Sequence, residues 1–307
     1  MIKTISYESI NAGASLGIIG AVHGNEKCGS IAINQIINEL DNGYIKLKQG
    51  KLHLMPIANP KAYSENMRFI ERNLNRYLYK KQVKQYYEDH LDSIICDFID
   101  KSDFLLDLHS YASDTKIKHE AFVFLSGRDK HEIEYAKNLG IKNFIYGWQQ
   151  AFQNSENKED KLESQGTTEY ARLNNIVAVT LECGQHLSQN APRNAYLAII
   201  NSLIYFDMLD TNCQAYIDNQ IQNNNASVDD LLCIHMQDVY YRNAGDKLFQ
   251  NWGHFDKIKQ NQILAYRNNG DIIQAKQDGY ILLPKLNASA GTEWFYFGVQ
   301  DNLILNT

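Results

Sequence analysis

The chain has 307 residues, which at roughly 150 residues per domain implies two domains, or one large domain with an appendage. Hydrophobic residues at 44%, charged residues at 21% and aromatics at 11% exclude a disordered, collagen-like or disulfide-stapled chain. The 30 lysines and arginines against 36 aspartates and glutamates leave a net charge of −6, the wrong sign for a protein that coats nucleic acid.

From the N-terminus, Leu16 to Val22 reads as a strand ending at His23-Gly24, and Gly29 to Leu40 spaces its isoleucines as a helix does. No apolar segment with a small-residue cleavage site precedes them, so no secretory leader is expected. Leu52 to Ile57 reads as a second strand stopped by Asn59-Pro60, with an irregular arginine- and asparagine-rich segment running to Arg76. A long amphipathic stretch covers Lys81 to Ile99. Phe104 to Leu108 and Ala121 to Leu125 are further strands, His131 to Leu139 a helix, and Gln149 to Gln165 a polar loop. Ile176 to Leu181 is an apolar run ending at Glu182-Cys183-Gly184, followed by a helix from Arg193 to Leu209. That helix is interrupted by Asn201, Ser202 and Asp207 and reads as core rather than membrane span.

Strands alternating with helices indicate an α/β layer structure. Beyond Gln214 the texture becomes polar and asparagine-rich, then alternates short apolar runs with turn signals. A boundary near residue 215 is expected, giving a domain over 1–215 and a smaller β-rich domain over 216–307. The five cysteines, Cys28, Cys96, Cys183, Cys213 and Cys233, are odd in number and unpaired in spacing, which fits reduced thiols and a cytoplasmic location.

In open α/β sheets, ligand sites gather at the carboxyl ends of strands. Four such positions carry unusual chemistry: His23-Gly24-Asn25-Glu26, the segment Met67 to Arg76, Asp107-Leu108-His109, and Leu181-Glu182-Cys183-Gly184. Two imidazoles and one carboxylate with a position left for water are the ligand set of a catalytic zinc site, and His23, Glu26 and His109 supply it. Asp107, two residues before His109 on the same strand face, is placed to hold the other ring nitrogen. Glu182 is then a second carboxylate available as general base.

Bland readings stand beside these. A buried, satisfied core histidine also fits His23 and His109, and a polar surface loop also fits Arg68, Arg72 and Arg76. Arginines beside a metal would instead receive an anion through their planar fork. His131-Glu132-Ile133-Glu134 repeats the His-x-x-Glu pattern and Asp129-Lys130-His131 repeats Asp-x-His, both in a charged helical context that reads as a solvated face. Cys183 lacks an evident base and reads as a small buried residue, and His186 as incidental.

Taken together, Gly20 to Glu26 (Gly-x-x-His-Gly-Asn-Glu), Asn59-Pro60, Arg68 to Arg76, Asp107 to Ser110 and Leu181 to Gly184 resemble the succinylglutamate desuccinylase/aspartoacylase family, relatives of the zinc carboxypeptidases. The motifs occur in the family's order over residues 16 to 185. The resemblance implies a zinc-carboxypeptidase-like mixed sheet flanked by helices and one Zn2+ per subunit on His23, Glu26 and His109. It also implies Glu182 as base and proton shuttle, Arg68 polarising the scissile carbonyl, and Asn75 with Arg76 gripping a substrate α-carboxylate. In the aspartoacylase branch an arginine ten positions before the catalytic glutamate holds a side-chain carboxylate, the offset of Arg172, whereas Thr168 stands where that branch has tyrosine. The expected activity is hydrolysis of the acyl amide of an N-acyl acidic amino acid, such as N-succinylglutamate or N-acetylaspartate. A carboxypeptidase-like peptidase and a non-catalytic metal-containing binder of acidic metabolites are the alternatives. The expected partner is a small anionic substrate, with no nucleic acid and no membrane, in a chain compatible with homo-oligomerisation.

Overall fold

The computed structural model describes residues 1–112, 120–127, 129–153, 164–221 and 231–303. The strands of the first part are β1 (Ile5–Glu8), β2 (Ser15–Gly20), β3 (Lys51–Met55), β4 (Phe104–Tyr111), β5 (Phe122–Leu125), β6 (Asn143–Tyr146) and β7 (Val177–Gln185). Its helices are α1 (Cys28–Asp41), α2 (Pro60–Glu65), α3 (Asp89–Ile99), α4 (Lys130–Lys137), α5 (Trp148–Gln153), α6 (Thr167–Leu173), α7 (Asn190–Tyr205) and α8 (Gln214–Ile221). The later strands are β8 (Leu232–Tyr241), β9 (Lys247–Leu248), β10 (Asp256–Ile258), β11 (Ile263–Tyr266), β12 (Ile272–Gln274), β13 (Gly279–Leu282) and β14 (Glu293–Asp301).

Among these, β3, β2, β4 and β7 lie side by side and parallel. Their sequences are nearly continuous apolar runs because both faces are covered. Leu16, Ile18, Leu52, Leu106, Val179 and Leu181 pack with α1, α4 and α7 on one face. Ile19, Leu105 and Ala178 pack with α3 and α6 on the other. β5 then joins β7 antiparallel and β6 parallel, so the sheet is mixed. It continues without a break through β8, which is parallel to β6 and antiparallel to β14, and on to β13 and β10, making 11 strands. A separate three-stranded sheet, β12-β11-β9, packs through Leu264, Ala265 and Ile273 around Trp252 and Trp294. The α/β architecture and the β-rich C-terminal region are thus as the periodicity indicates.

Several local expectations change. Asn59-Pro60 does more than stop β3: the Asn59 side chain accepts the Ala62 N–H at 3.3 Å and Pro60 occupies the first turn, so a short helix, α2, starts there. The amphipathic stretch from Lys81 becomes helical only at Asp89. Residues 154–163 of the expected polar loop lie outside the described residues, but its start is helical, as α5. The polar stretch from Gln214 also begins as a helix, α8, and residues 222–230 lie outside the described residues. No helix among the described residues is long and apolar enough to cross a membrane.

Candidate active site

Strand β2 delivers its carboxyl end into a tight loop. Ala21 adopts a left-handed conformation at φ 50°, and the Gly20 and Ala21 carbonyls accept N–H groups from Ala58 and Asn59 at 3.0 and 3.1 Å. Gly24 is demanded by packing, since a Cβ there would lie 2.1 Å from the Ala62 carbonyl carbon of α2. Its own N–H donates to the Arg68 carbonyl at 3.1 Å. The loop carrying His23 and Glu26 is thereby tied to the arginine segment.

His23, Glu26 and His109 come together, buried, with one candidate ligand atom from each within 4.8 Å of the others. Nδ1 of His23 stands 2.9 Å from Glu26 Oε1, and Nδ1 of His109 stands 2.8 Å from Glu26 Oε2. The outer nitrogens face acceptors: His23 Nε2 meets Asn73 Oδ1 at 2.9 Å, and His109 Nε2 meets Asp107 Oδ2 at 2.8 Å. Nδ1 of His23 has no aligned hydrogen-bond partner, and with both protons donated outward the two rings would turn inward lone pairs toward the Glu26 carboxylate. Lone pairs at such separations repel unless a cation lies between them. The donor set, two nitrogens and one carboxylate oxygen, suits zinc, and the acceptors behind each ring are what a ligating histidine requires.

Electrostatics distinguish the two rings. Burial, reinforced by the Arg68 charge, lowers the His23 pKa to about 4, so its ring is neutral and free to ligate at neutral pH. Burial alone would lower His109 too, but Asp107 and Glu26 raise it well above the ordinary imidazole value. Glu26 resists its burial through the two histidines, which hold its carboxyl well below the usual range. Arg68 Nη1 donates to Glu26 Oε1 at 2.9 Å, while the rest of its half-exposed guanidinium faces the cleft.

Glu182 reaches the site by register. It is the Cα partner of His109 across the parallel β4–β7 pair. Its Oε2 is buried without a partner among the described residues. Burial, then the negative charge of Glu26, pushes its pKa up to about 8. A carboxylate of high proton affinity beside a candidate metal centre is equipped to take and return a proton.

A partly open cleft runs from this cluster, lined by Arg68, Asn75, Arg76, Trp148, Thr168 and Arg172 among others. Arg76 lies with its guanidinium 5.8 Å from the Trp148 ring centre, and its charge helps lower the pKa of Glu293 on β14, after Lys285 and against burial. Glu293 of the β-rich region thus feels the charge of a residue that lines the cleft. Asn75 accepts the Thr167 N–H through Oδ1 at 2.9 Å. Arg172 also lines the cleft, but Glu132 grips its Nε and Nη2 at 3.2 and 2.9 Å, Glu169 takes Nη1 at 3.0 Å, and the Ala178 carbonyl accepts from Nη2 at 3.1 Å.

The expected solvated face at His131-Glu132 is half wrong. His131 is exposed, and Asp129 caps α4 by accepting its N–H at 2.9 Å. Glu132, however, is buried and bound to Arg172 and to the N–H and hydroxyl of Ser126. Arg72 is also no part of an anion site: its Nε and Nη2 bind Asp89 and Asp92 at 2.7 and 2.5 Å. Cys183 is fully buried with its thiol pKa pushed up by burial, so it is no nucleophile. His186 accepts or donates one hydrogen bond with Ser110 Oγ at 2.8 Å, and the Ser110 N–H binds Glu26.

Three supporting residues escaped the sequence reading. Asn73 backs His23. Thr167 Oγ1 donates to Asp107 Oδ2 while its N–H binds Asn75, joining the His109 support to the arginine loop. Glu88 accepts the N–H groups of Ile70, Glu71 and Arg72. Only Asn73 had a signal, its place within the Asn73-Leu74-Asn75-Arg76 motif.

A profile of the succinylglutamate desuccinylase/aspartoacylase catalytic domain matches residues 12–201. No curated protein sequence matches the chain. Among solved structures, a succinylglutamate desuccinylase/aspartoacylase from Rhodobacter sphaeroides superposes with a TM-score of 0.71 at 13% identity, covering 98% of this chain and 90% of that one. A succinylglutamate desuccinylase from Silicibacter sp. gives 0.71 at 17% identity, covering 98% and 89%. The product-bound ectoine utilization protein EutE of Ruegeria pomeroyi gives 0.67 at 18% identity, covering 94% and 86%. At these identities the superpositions bear on the fold.

Proposed function

The chain belongs to the succinylglutamate desuccinylase/aspartoacylase family, a family of deacylases, and from that premise we propose that it is a zinc-dependent amidohydrolase releasing the acyl group of an N-acyl amino acid. The observation that carries this reading is the convergence of His23, Glu26 and His109 with Glu182 in register beside them. A zinc ion held by the three ligands supplies Lewis acidity toward a carbonyl and lowers the pKa of water toward neutrality.

The chain's own residues do the rest. Arg76, with Asn75 beside it, receives the substrate α-carboxylate and so fixes the amide in the cleft, replacing lost freedom by orientation. Arg68, held by Glu26, points its remaining N–H groups to where the acyl oxygen gains negative charge. Glu182 removes a proton from the attacking water through its free Oε2. It then returns that proton to the nitrogen of the breaking C–N bond, so the products are a carboxylate and a free amine.

The acidic side chain expected from the sequence needs a cation at Arg172, and that guanidinium is already bound by two carboxylates. The reading is tested by stripping the purified protein with a chelator: amide hydrolysis should vanish and return with zinc, and Glu182→Gln should lower kcat by at least about a hundredfold. Full activity in that variant, or in the stripped protein, would end the proposal.

A further inference from the structure

Resting on the deacylase reading, we propose that the inner wall of the cleft selects an N-acyl amino acid whose side chain ends in an ammonium group, not a carboxylate. Arg172 carries one positive charge and is bound by two carboxylates, Glu132 and Glu169, so among the described residues this cluster holds a surplus of one negative charge, 1 − 2 = −1. Of the five N–H donors of a guanidinium, four are used on Glu132, Glu169 and the Ala178 carbonyl. One remaining N–H cannot give an arriving carboxylate the two-point fork that arginine recognition depends on.

The carboxylates are firmly placed. Glu132 is buried and accepts from the Ser126 N–H at 2.6 Å and its hydroxyl at 2.8 Å. Glu169 is part-buried at the cleft wall, where its Oε2 accepts the Gly166 N–H at 3.1 Å. Among the described residues beside them, the Thr168 and Thr180 hydroxyls, 3.2 Å apart, offer oxygen acceptors, and Phe124 and Trp148 offer ring faces. Carboxylate, hydroxyl oxygens and aromatic faces form the environment an ammonium group favours. Arg76, over the Trp148 ring, is left for the α-carboxylate. Among the described residues the cleft is thus polarised, positive at Arg76 and negative at Glu169, complementary to a diamino acid.

The test uses the zinc-loaded protein and amino acids carrying either an Nα-acetyl or an Nα-succinyl group: ornithine and lysine for the ammonium group, glutamine and methionine as neutral partners, glutamate and aspartate for the carboxylate. The expected result is a kcat/KM for the ammonium substrates at least about tenfold above both other groups. Glu169→Gln should narrow that ratio mainly through KM, and the preference of the unaltered protein stands as evidence even if the variant folds poorly. A carboxylate or neutral substrate equal to or better than the ammonium substrates overturns the inference while leaving the deacylase reading intact. Absence of turnover on the whole panel defeats the deacylase reading instead. The selectivity of the wall is then read by calorimetry with free ornithine and glutamate, where tighter glutamate binding overturns it.

Discussion

His254 is an imidazole enclosed by rings. It is fully buried, its Nδ1 accepts the Leu283 N–H at 3.0 Å, and Tyr111, Phe122 and Phe255 surround it. Its Nε2 finds no partner among the described residues. Burial lowers its pKa to about 3 from an ordinary 6.5. Above pH 6.5 both folded and unfolded chains hold this histidine neutral and stability is complete. As pH falls from 6.5 toward 3 the unfolded chain takes the proton first, and stability drops by about 1.4 kcal/mol per pH unit. Urea unfolding at pH 7 and pH 4.5 should show His254→Gln losing on the order of 2 kcal/mol less than the parent over that interval; equal losses would refute the assignment. At this scale the sequence was most informative where chemistry is local. His23 and His109 end apolar runs, and Asp107 shares a strand face with His109. Glu132 and Arg172, 40 positions apart, are joined only by tertiary packing, and neither carries a local mark of its partner.

The loop between α2 and α3 carries Arg68, Asn75 and Arg76. Glu88 accepts N–H groups from Ile70 at 2.7 Å and from Glu71 and Arg72 at 3.2 Å, together with the Asn59 amide at 3.2 Å. Arg72 closes it from the other side, donating to the Arg76 carbonyl at 2.8 Å while bound to Asp89 and Asp92. Glu88→Ala leaves the buried Asn59 amide and three part-buried backbone N–H groups unpaired and should cost roughly 3 kcal/mol. It should also raise KM more than it lowers kcat, with zinc content unchanged by elemental analysis. An unaltered KM with normal folding would show that the loop holds its shape without Glu88. The stretch from Lys81 to Ile99 reads as amphipathic along its length, yet Asp89 Oδ2 accepts the N–H groups of Gln85 and Tyr86 at 2.9 and 3.0 Å and the segment before Asp89 follows an irregular path. Side-chain capture of backbone donors competes with helix formation, and hydrophobic periodicity does not register it.

Across the whole molecule, a single sheet links the site to the C-terminal strands. β8 is hydrogen-bonded to β6 on one side and β14 on the other, the Trp148 and Tyr296 rings lie tilted with centres 5.2 Å apart, and Glu293 feels the charge of Arg76. The composition shift near residue 215 marks a change of texture, while pairing between strands distant in sequence carries no composition signal. We expect calorimetry of the full chain to show one cooperative transition. A fragment ending at residue 215 should aggregate, because β6 would present an open edge. Two resolved transitions, or a soluble folded fragment, would count against this. The pairing of His109 with Glu182 has one more consequence. Their separation follows from the fixed pitch of a sheet, about 4.8 Å between neighbouring strands, rather than from any loop. The proposed ligand and base are ruled onto the backbone like marks on a scale, so surrounding loops are free to change what the protein recognises without recalibrating the spacing between them.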